Sequence, residues 1–185
     1  LPWLEPAVLG VVLIALVITA SGGPTWGVSS ARAVIATRFD HGAAAPLYDL
    51  LASVFSLIPA GEPGFRLSLL GALLAALTAA GVVAAARVLV PKTPLAGLAG
   101  GVVLVLAPPF RDSSPALLAA CGTVWALALT GELAALLACA VVIGSAPYLG
   151  VALTILVALR TPREHLPVGL AVIGLSIVAL WLGAT

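Results

Sequence analysis

Charged residues divide this sequence into long uncharged runs, and that spacing constrains the fold more than any other feature. Lys, Arg, Asp and Glu make up 8% of the 185 residues, whereas 62% are hydrophobic. The longest uncharged runs are 6–31, 67–86, 113–131, 133–159 and 165–185. A membrane-spanning helix needs about 20 apolar residues, and a typical soluble domain is about one quarter charged. The sequence therefore predicts an all-α, polytopic transmembrane bundle.

The uncharged runs predict about seven spans in a single membrane domain, 1–185. The predicted spans are 6–21, 66–88, 95–109, 115–131, 133–146, 147–160 and 166–184. The sequence Ser21-Gly22-Gly23-Pro24 ends the first span. Pro147 falls in the middle of 133–159, so this run is interpreted as two short helices, with one tilted and kinked helix as the alternative. Because the chain begins at Leu1, we expect it to be a fragment of a longer protein.

Residues 22–65 connect the first two predicted spans and contain several charged residues. They are predicted to form an external loop with two amphipathic interfacial helices. The first, 28–39, has an apolar stripe flanked by Arg32 and Arg38, which is typical of a helix lying at the membrane surface. The second, 47–59, has 13 residues and a length of about 20 Å, short of the roughly 30 Å hydrocarbon core. We therefore expect it to lie along or dip into the interface.

The distribution of Lys and Arg predicts the orientation. If 47–59 is interfacial and 133–160 is a hairpin, four basic residues lie on one side: Arg87, Lys92, Arg160 and Arg163. The positive-inside rule then places them in the cytoplasm and residues 22–65 outside. We expect integration in the inner (cytoplasmic) membrane of a bacterium.

Small residues at four-residue intervals predict close helix packing. Gly71, Ala75 and Ala79 form one such face, and Gly97 and Gly101 form a GxxxG pair. In lipid, close approach of backbones favours helix association. These faces could pack within the chain or against another membrane subunit, and the sequence leaves both open. Membrane lipids and further membrane subunits are the expected partners.

Composition and cysteine spacing exclude other classes of site. A net charge of +1 without a basic stripe argues against binding of nucleic acid. Cys121 and Cys139 lie in apolar runs without His or a second Cys at ligand spacing, so they are interpreted as small buried hydrophobic residues. No metal site and no cofactor is evident.

The order of elements around residues 46–66 is distinctive. Pro46-Leu47-Tyr48 opens a short apolar segment that contains Phe55 and ends at Pro59, and Arg66 then opens a long Ala/Leu helix. This order resembles the N-terminal half of the GT-C membrane glycosyltransferases of the protein O-mannosyltransferase-like group. The resemblance implies transfer of a sugar from a polyprenyl-phosphate donor at the outer membrane face, with a divalent metal on the donor phosphate.

The same resemblance implies a catalytic acid shortly after the first span, but this chain has Trp26-Gly27 where Trp-Asp is expected. Other candidates for a general base are Asp40 with the adjacent His41, and Asp49 on the second short helix. Arg66 is a candidate for binding a lipid phosphate through its guanidinium. An inactive or incomplete glycosyltransferase, a non-catalytic scaffold subunit and, less favoured, a transporter are the functions that remain open.

Overall fold

The computed structural model describes residues 3–19, 45–89, 94–106, 114–129 and 132–160, together with four helical residues, Pro167, Ala171, Gly174 and Val178. Within these ranges the protein is all-helical, which confirms the all-α part of the predicted fold class; the bundle of about seven spans is not confirmed, since one described helix is long and apolar enough to cross a membrane. The helices are α1 (Leu4–Ile18), α2 (Pro46–Ser56), α3 (Pro63–Leu89), α4 (Pro94–Leu106), α5 (Pro115–Ala128), α6 (Glu132–Ser145) and α7 (Pro147–Arg160). The predicted helix 28–39 and most of the predicted span 166–184 lie outside the described residues.

Proline explains where most of these helices begin. Helices α2, α3, α4, α5 and α7 each start at a proline. The first residues of a helix donate no intrahelical hydrogen bond, so the missing N–H of proline costs nothing there and its fixed φ favours the helix. The N-terminus of α5 is further stabilised by Ser114, whose hydroxyl accepts a hydrogen bond from the Leu117 N–H at 3.2 Å.

Helix α3 is the centre of the bundle. It packs against α1, α2, α4 and α5, while α6 packs against α2, α5 and α7. Small buried residues such as Ala75, Ala76 and Ala79 let the neighbouring backbones approach closely. Of the described helices, α3 alone is both long and apolar enough to cross a membrane by itself.

Helices α6 and α7 form a tight antiparallel hairpin. Ala146 alone separates them. A Cβ added at Gly150 would lie 2.5 Å from the Ile143 Cα, and the Cys139 thiol lies beside the Thr154 hydroxyl. Ile143 is thus paired with Gly150, and Cys139, four residues earlier on α6, is paired with Thr154, four residues later on α7. The two helices therefore run in opposite directions. The segment 132–160 is a hairpin and not one kinked helix.

The outer surface of the bundle is apolar. Large hydrophobic side chains are exposed on all seven described helices, and α1 has no buried residue at all. Ile18 of α1 is 78% exposed, Val103 of α4 69% and Leu156 of α7 65%. A folded protein in water rarely exposes large contiguous apolar patches. The bundle is thus apolar both in its core and on its periphery.

Hydroxyl groups inside the helices bond to their own backbone. The side chains of Ser53, Ser68, Thr78, Thr123, Ser145 and Thr154 each donate to the carbonyl four residues earlier, over 2.6–3.0 Å. In the described part of the chain, no buried side-chain N or O atom is left without a hydrogen-bond partner. A hydroxyl group that donates a hydrogen bond to a carbonyl of its own helix can be buried away from water.

Candidate functional site

Two of the sequence candidates, Asp49 and Arg66, lie in one segment of the described chain, 45–66, which we call the α2 corner. It comprises α2, the turn 57–62 and the first residues of α3. Tyr48, Ala52 and Ser53 are buried on the inner face of α2. Leu47 of α2 contacts Gly144, at the tip of the α6–α7 hairpin, where an added Cβ would lie 2.7 Å from the Leu47 Cβ. The α2 corner therefore packs against both α3 and the hairpin.

Arg66 holds the turn of the α2 corner together. Its Nε donates to the Ala60 carbonyl at 3.2 Å, one Nη donates to the Gly61 carbonyl at 3.1 Å, and the other donates to the Ser56 carbonyl. The last carbonyls of a helix have no intrahelical donor. The guanidinium supplies donors at this end of α2, using three of its five N–H groups.

The turn also depends on a glycine. Gly61 has a φ of +58°, in the left-handed region that residues with a side chain rarely adopt. A Cβ at this position would also lie 3.0 Å from the Phe65 Cδ1. The sharp reversal between α2 and α3, and with it the position of the Arg66 guanidinium, requires glycine at this position.

The predicted acids and Arg66 do not form one site in the described residues. Asp49 lies in the first turn of α2 and is half-buried. Arg66 binds the other end of the helix, at Ser56, about 10 Å along the axis from Asp49. Asp40 and His41 lie outside the described residues. Among the residues described, no group of three or more His, Cys, Asp or Glu side chains is arranged to hold a metal ion.

The glycine pair of α4 faces α3. A Cβ at Gly97 would lie 2.8 Å from the Ala86 Cβ and 3.1 Å from the Val83 Cα. A Cβ at Gly101 would lie 3.2 Å from the carbonyl oxygen of Ala79. The predicted face of Gly71, Ala75 and Ala79 is buried on α3. Gly97, Gly101 and Ala79 thus pack within the chain.

An ion pair between α1 and α3 was not predicted from the sequence. Glu5 in the first turn of α1 binds Arg87 in the last turn of α3, and both side chains are about one third exposed. An acid at a helix N-terminus and a base at a C-terminus both complement the helix dipole. The uncharged runs showed where each residue lies along the chain, but not which helices would be neighbours.

A second unpredicted contact lies in the centre of the bundle. The Trp125 indole N–H donates to the Leu77 carbonyl on α3 at 3.0 Å. The indole reaches this carbonyl because Gly81 has no side chain: a Cβ there would lie 3.1 Å from Nε1. The pairing of a Trp on one apolar helix with a Gly on another is the signal that could have indicated this contact.

Comparison of the chain with protein-family models, with curated proteins and with solved structures gives no match. The resemblance to the GT-C glycosyltransferases therefore depends on the residues of the α2 corner and stays a prediction. The function must be argued from the geometry of the chain itself.

Proposed function

We propose that this chain is a multi-span protein of a bacterial inner membrane that acts as a non-catalytic scaffold subunit, in contact with lipids and with neighbouring membrane proteins. The observation that carries the proposal is the apolar surface: all seven described helices expose large hydrophobic side chains around a core of small residues. Lipid tails and apolar helices of other subunits are the surroundings in which such a surface is stable.

The directions of the helices support the proposed orientation. The Glu5–Arg87 pair makes α1 antiparallel to α3. The contacts of Gly97 and Gly101 make α4 antiparallel to α3, and the α6–α7 hairpin brings Arg160 back to the face where α6 begins. If α3 crosses the membrane, Arg87 and Arg160 lie on one face of it. The positive-inside rule makes that face cytoplasmic and the α2 corner external.

The polar groups of the bundle support a structural role. Arg66 binds the backbone of the α2 corner, Arg87 binds Glu5, and Trp125 binds the Leu77 carbonyl. The helical hydroxyl groups bond to their own backbones. Each of these groups stabilises the packing of the chain itself, which is consistent with a structural role.

A polyprenyl-phosphate-sugar-dependent glycosyltransferase is the second candidate. The observation that favours it is the described order of a short helix opening at Pro46, a turn, and a long helix opened near Arg66, as the resemblance implies. This activity would require a base, with Asp40 or Asp49 as candidates, and a divalent metal on the donor phosphate.

Thiol labelling tests the membrane part of the proposal. In a background with both native cysteines replaced by alanine, single cysteines at Glu62 and Leu89 mark the two ends of α3, and both positions are exposed. We expect an impermeant reagent to label Glu62→Cys from outside and Leu89→Cys only from the cytoplasm. Equal labelling of both from one side would contradict the proposed crossing.

A transfer assay distinguishes the two functions. Membranes containing the parent chain, Asp40→Ala or Asp49→Asn are supplied with polyprenyl-phosphate sugars, a hydroxyl acceptor and Mg²⁺ or Mn²⁺. The scaffold proposal predicts no transfer above membranes without the chain. Sugar transfer that the parent chain catalyses and that either variant abolishes would show that the chain is an enzyme and would contradict the scaffold proposal.

Photo-crosslinking tests the contact with neighbouring membrane proteins. A photo-crosslinker at Ile14, on the exposed face of α1, is expected to form a discrete protein adduct in native membranes.

A further inference from the structure

The described helices around α3 end at a common level, well short of its N-terminus. Thr78 lies beside Cys121, Gly101 lies against Ala79, and Glu5 binds Arg87. With a rise of 1.5 Å per residue, these contacts place the ends of α1 and α4 and the start of α5 within about 3 Å of the level of Leu74. The described parts of these helices thus surround α3 from the level of Leu74 to that of Arg87.

The apolar part of α3 is longer than this layer. Arg66 and Arg87 enclose an uncharged run and are separated by about 31 Å along the helix. This separation matches the roughly 30 Å thickness of a hydrocarbon core. Between Leu74 and Arg66, about 12 Å of that thickness lies beyond the described ends of α1, α4 and α5.

Helix α2 lies beside this outer part of α3. Its first turn packs on Gly144 through Leu47, and its last turn is bound by Arg66 through the Ser56 carbonyl. Gly122 contacts Val142, and α5 and α6 are joined by a short connection, so the tip of the hairpin lies close to the level of Leu74. Helix α2 therefore extends from the level of Leu74 to that of Arg66.

The exposed face of α2 is apolar. Leu50 and Val54 on α2, and Leu57 and Ile58 at the start of the turn that follows it, are all exposed, while Tyr48 and Ala52 face the protein. A helix lying at the membrane surface directs a polar face to water. Here none of the three polar side chains of α2 is exposed: Ser53 is buried, and Asp49 and Ser56 are half-buried.

The end of α2 at the turn is satisfied without water. Arg66 donates to carbonyls at Ser56, Ala60 and Gly61. These bonds tie the outer end of α2 to the start of α3 at the level of Arg66.

We propose that α2 is a membrane-embedded helix of the outer leaflet, which contacts acyl chains through Leu50, Val54 and Leu57, and that Arg66 is the positioning residue that holds it there. The uncharged part of α3 supports lipid as the occupant: Arg66 marks one end of a run of about 31 Å, the thickness of a hydrocarbon core, and the apolar stripe lies inside that end. The inference rests on the membrane location proposed above. The sequence predicted that this helix lies along or dips into the membrane interface, whereas the inference places it inside the hydrocarbon.

Depth-dependent quenching tests this position. A fluorophore on Leu50→Cys, at the exposed position of α2 that lies about 9 Å along the helix from Ser56, is measured in the background without native cysteines, in phosphatidylcholine vesicles with a nitroxide on either the headgroup or the acyl chain. We expect acyl-chain nitroxide to quench at least twofold more than headgroup nitroxide. Val103→Cys, exposed on α4 near mid-depth, is the hydrocarbon control, and Glu62→Cys in the turn is the headgroup control.

The controls separate two kinds of failure. Headgroup quenching at Leu50 with acyl-chain quenching at Val103 would overturn the embedded helix and leave the membrane proposal intact. Headgroup or aqueous quenching at both would overturn the membrane location itself.

Two variants of Arg66 test its role. Arg66→Gln removes the charge, and Arg66→Lys keeps the charge but loses the planar group that binds three carbonyls. We expect the Leu50 probe to move toward headgroup quenching in both variants, while the Val103 probe keeps its depth and so reports an intact bundle. A parental depth in Arg66→Lys would refute positioning through the carbonyls.

Discussion

Substituting alanine for single glycines tests the packing of α4 on α3. At Gly97 the added methyl would lie 2.8 Å from the Ala86 Cβ and 3.1 Å from the Val83 Cα. Carbon atoms that are not bonded prefer a separation of about 3.5–4.0 Å. Neither neighbour can rotate away, because one is a Cβ and the other is backbone. The helices must therefore move apart by several tenths of an ångström or more.

Comparison with a control substitution at Gly10 gives the expected loss of stability in Gly97→Ala. At Gly10 on α1 an added Cβ would meet nothing within 4 Å. Both substitutions gain the same helix propensity, up to about 1 kcal/mol. Their difference therefore isolates the cost of overpacking, which is about 1–3 kcal/mol. We expect Gly97→Ala to be less stable than Gly10→Ala by that amount.

Unfolding of purified protein in mixed micelles, followed by circular dichroism as the fraction of denaturing detergent rises, measures this difference. Gly100→Ala is a further control on the same helix, since its Cβ would lie 3.3 Å from the Val82 Cγ1, the end of a side chain. It should lie between the other two variants. Equal stability of Gly97→Ala and Gly10→Ala would refute the close approach of α4 to α3.

Three further outcomes are expected. Trp125→Phe should destabilise the bundle by about 0.5–1.5 kcal/mol in the same unfolding assay, since it removes one hydrogen bond across α3 and α5; no change would mean that this bond contributes nothing. Glu5→Gln should cost less than about 1 kcal/mol, because Glu5 and Arg87 are partly exposed, and its effect should shrink in high salt; a salt-independent loss would indicate packing instead of charge. Cys121 and Cys139 are buried, so a thiol reagent should modify them only after denaturation, and rapid labelling of the folded protein would contradict their burial.

Local sequence signals predicted the helical elements well. Proline marks the start of α2 and of α7, and the uncharged run between Arg66 and Arg87 corresponds to the long helix α3. These signals depend on nearby residues alone. The all-helical class followed from the same spacing of charges.

The arrangement of the helices was harder to predict. Helix α3 is apolar around its whole circumference, so its hydrophobic pattern does not show which face meets which neighbour. The Glu5–Arg87 pair joins residues 82 positions apart, and a single sequence contains no record of that pairing. Arg66 was identified as a candidate, but its bonds to the turn carbonyls depend on the left-handed Gly61, which the sequence pattern alone did not reveal.

The short connection between α6 and α7 has a consequence for biogenesis. Each helix has 14 residues, fewer than the roughly 19-residue window over which apolar segments are recognised during insertion. Neither helix alone presents a full signal, whereas together they form a continuous apolar segment with both ends on one side. With the membrane location proposed above, we therefore expect the translocation machinery to release the pair into the bilayer as one unit, after both helices have left the ribosome.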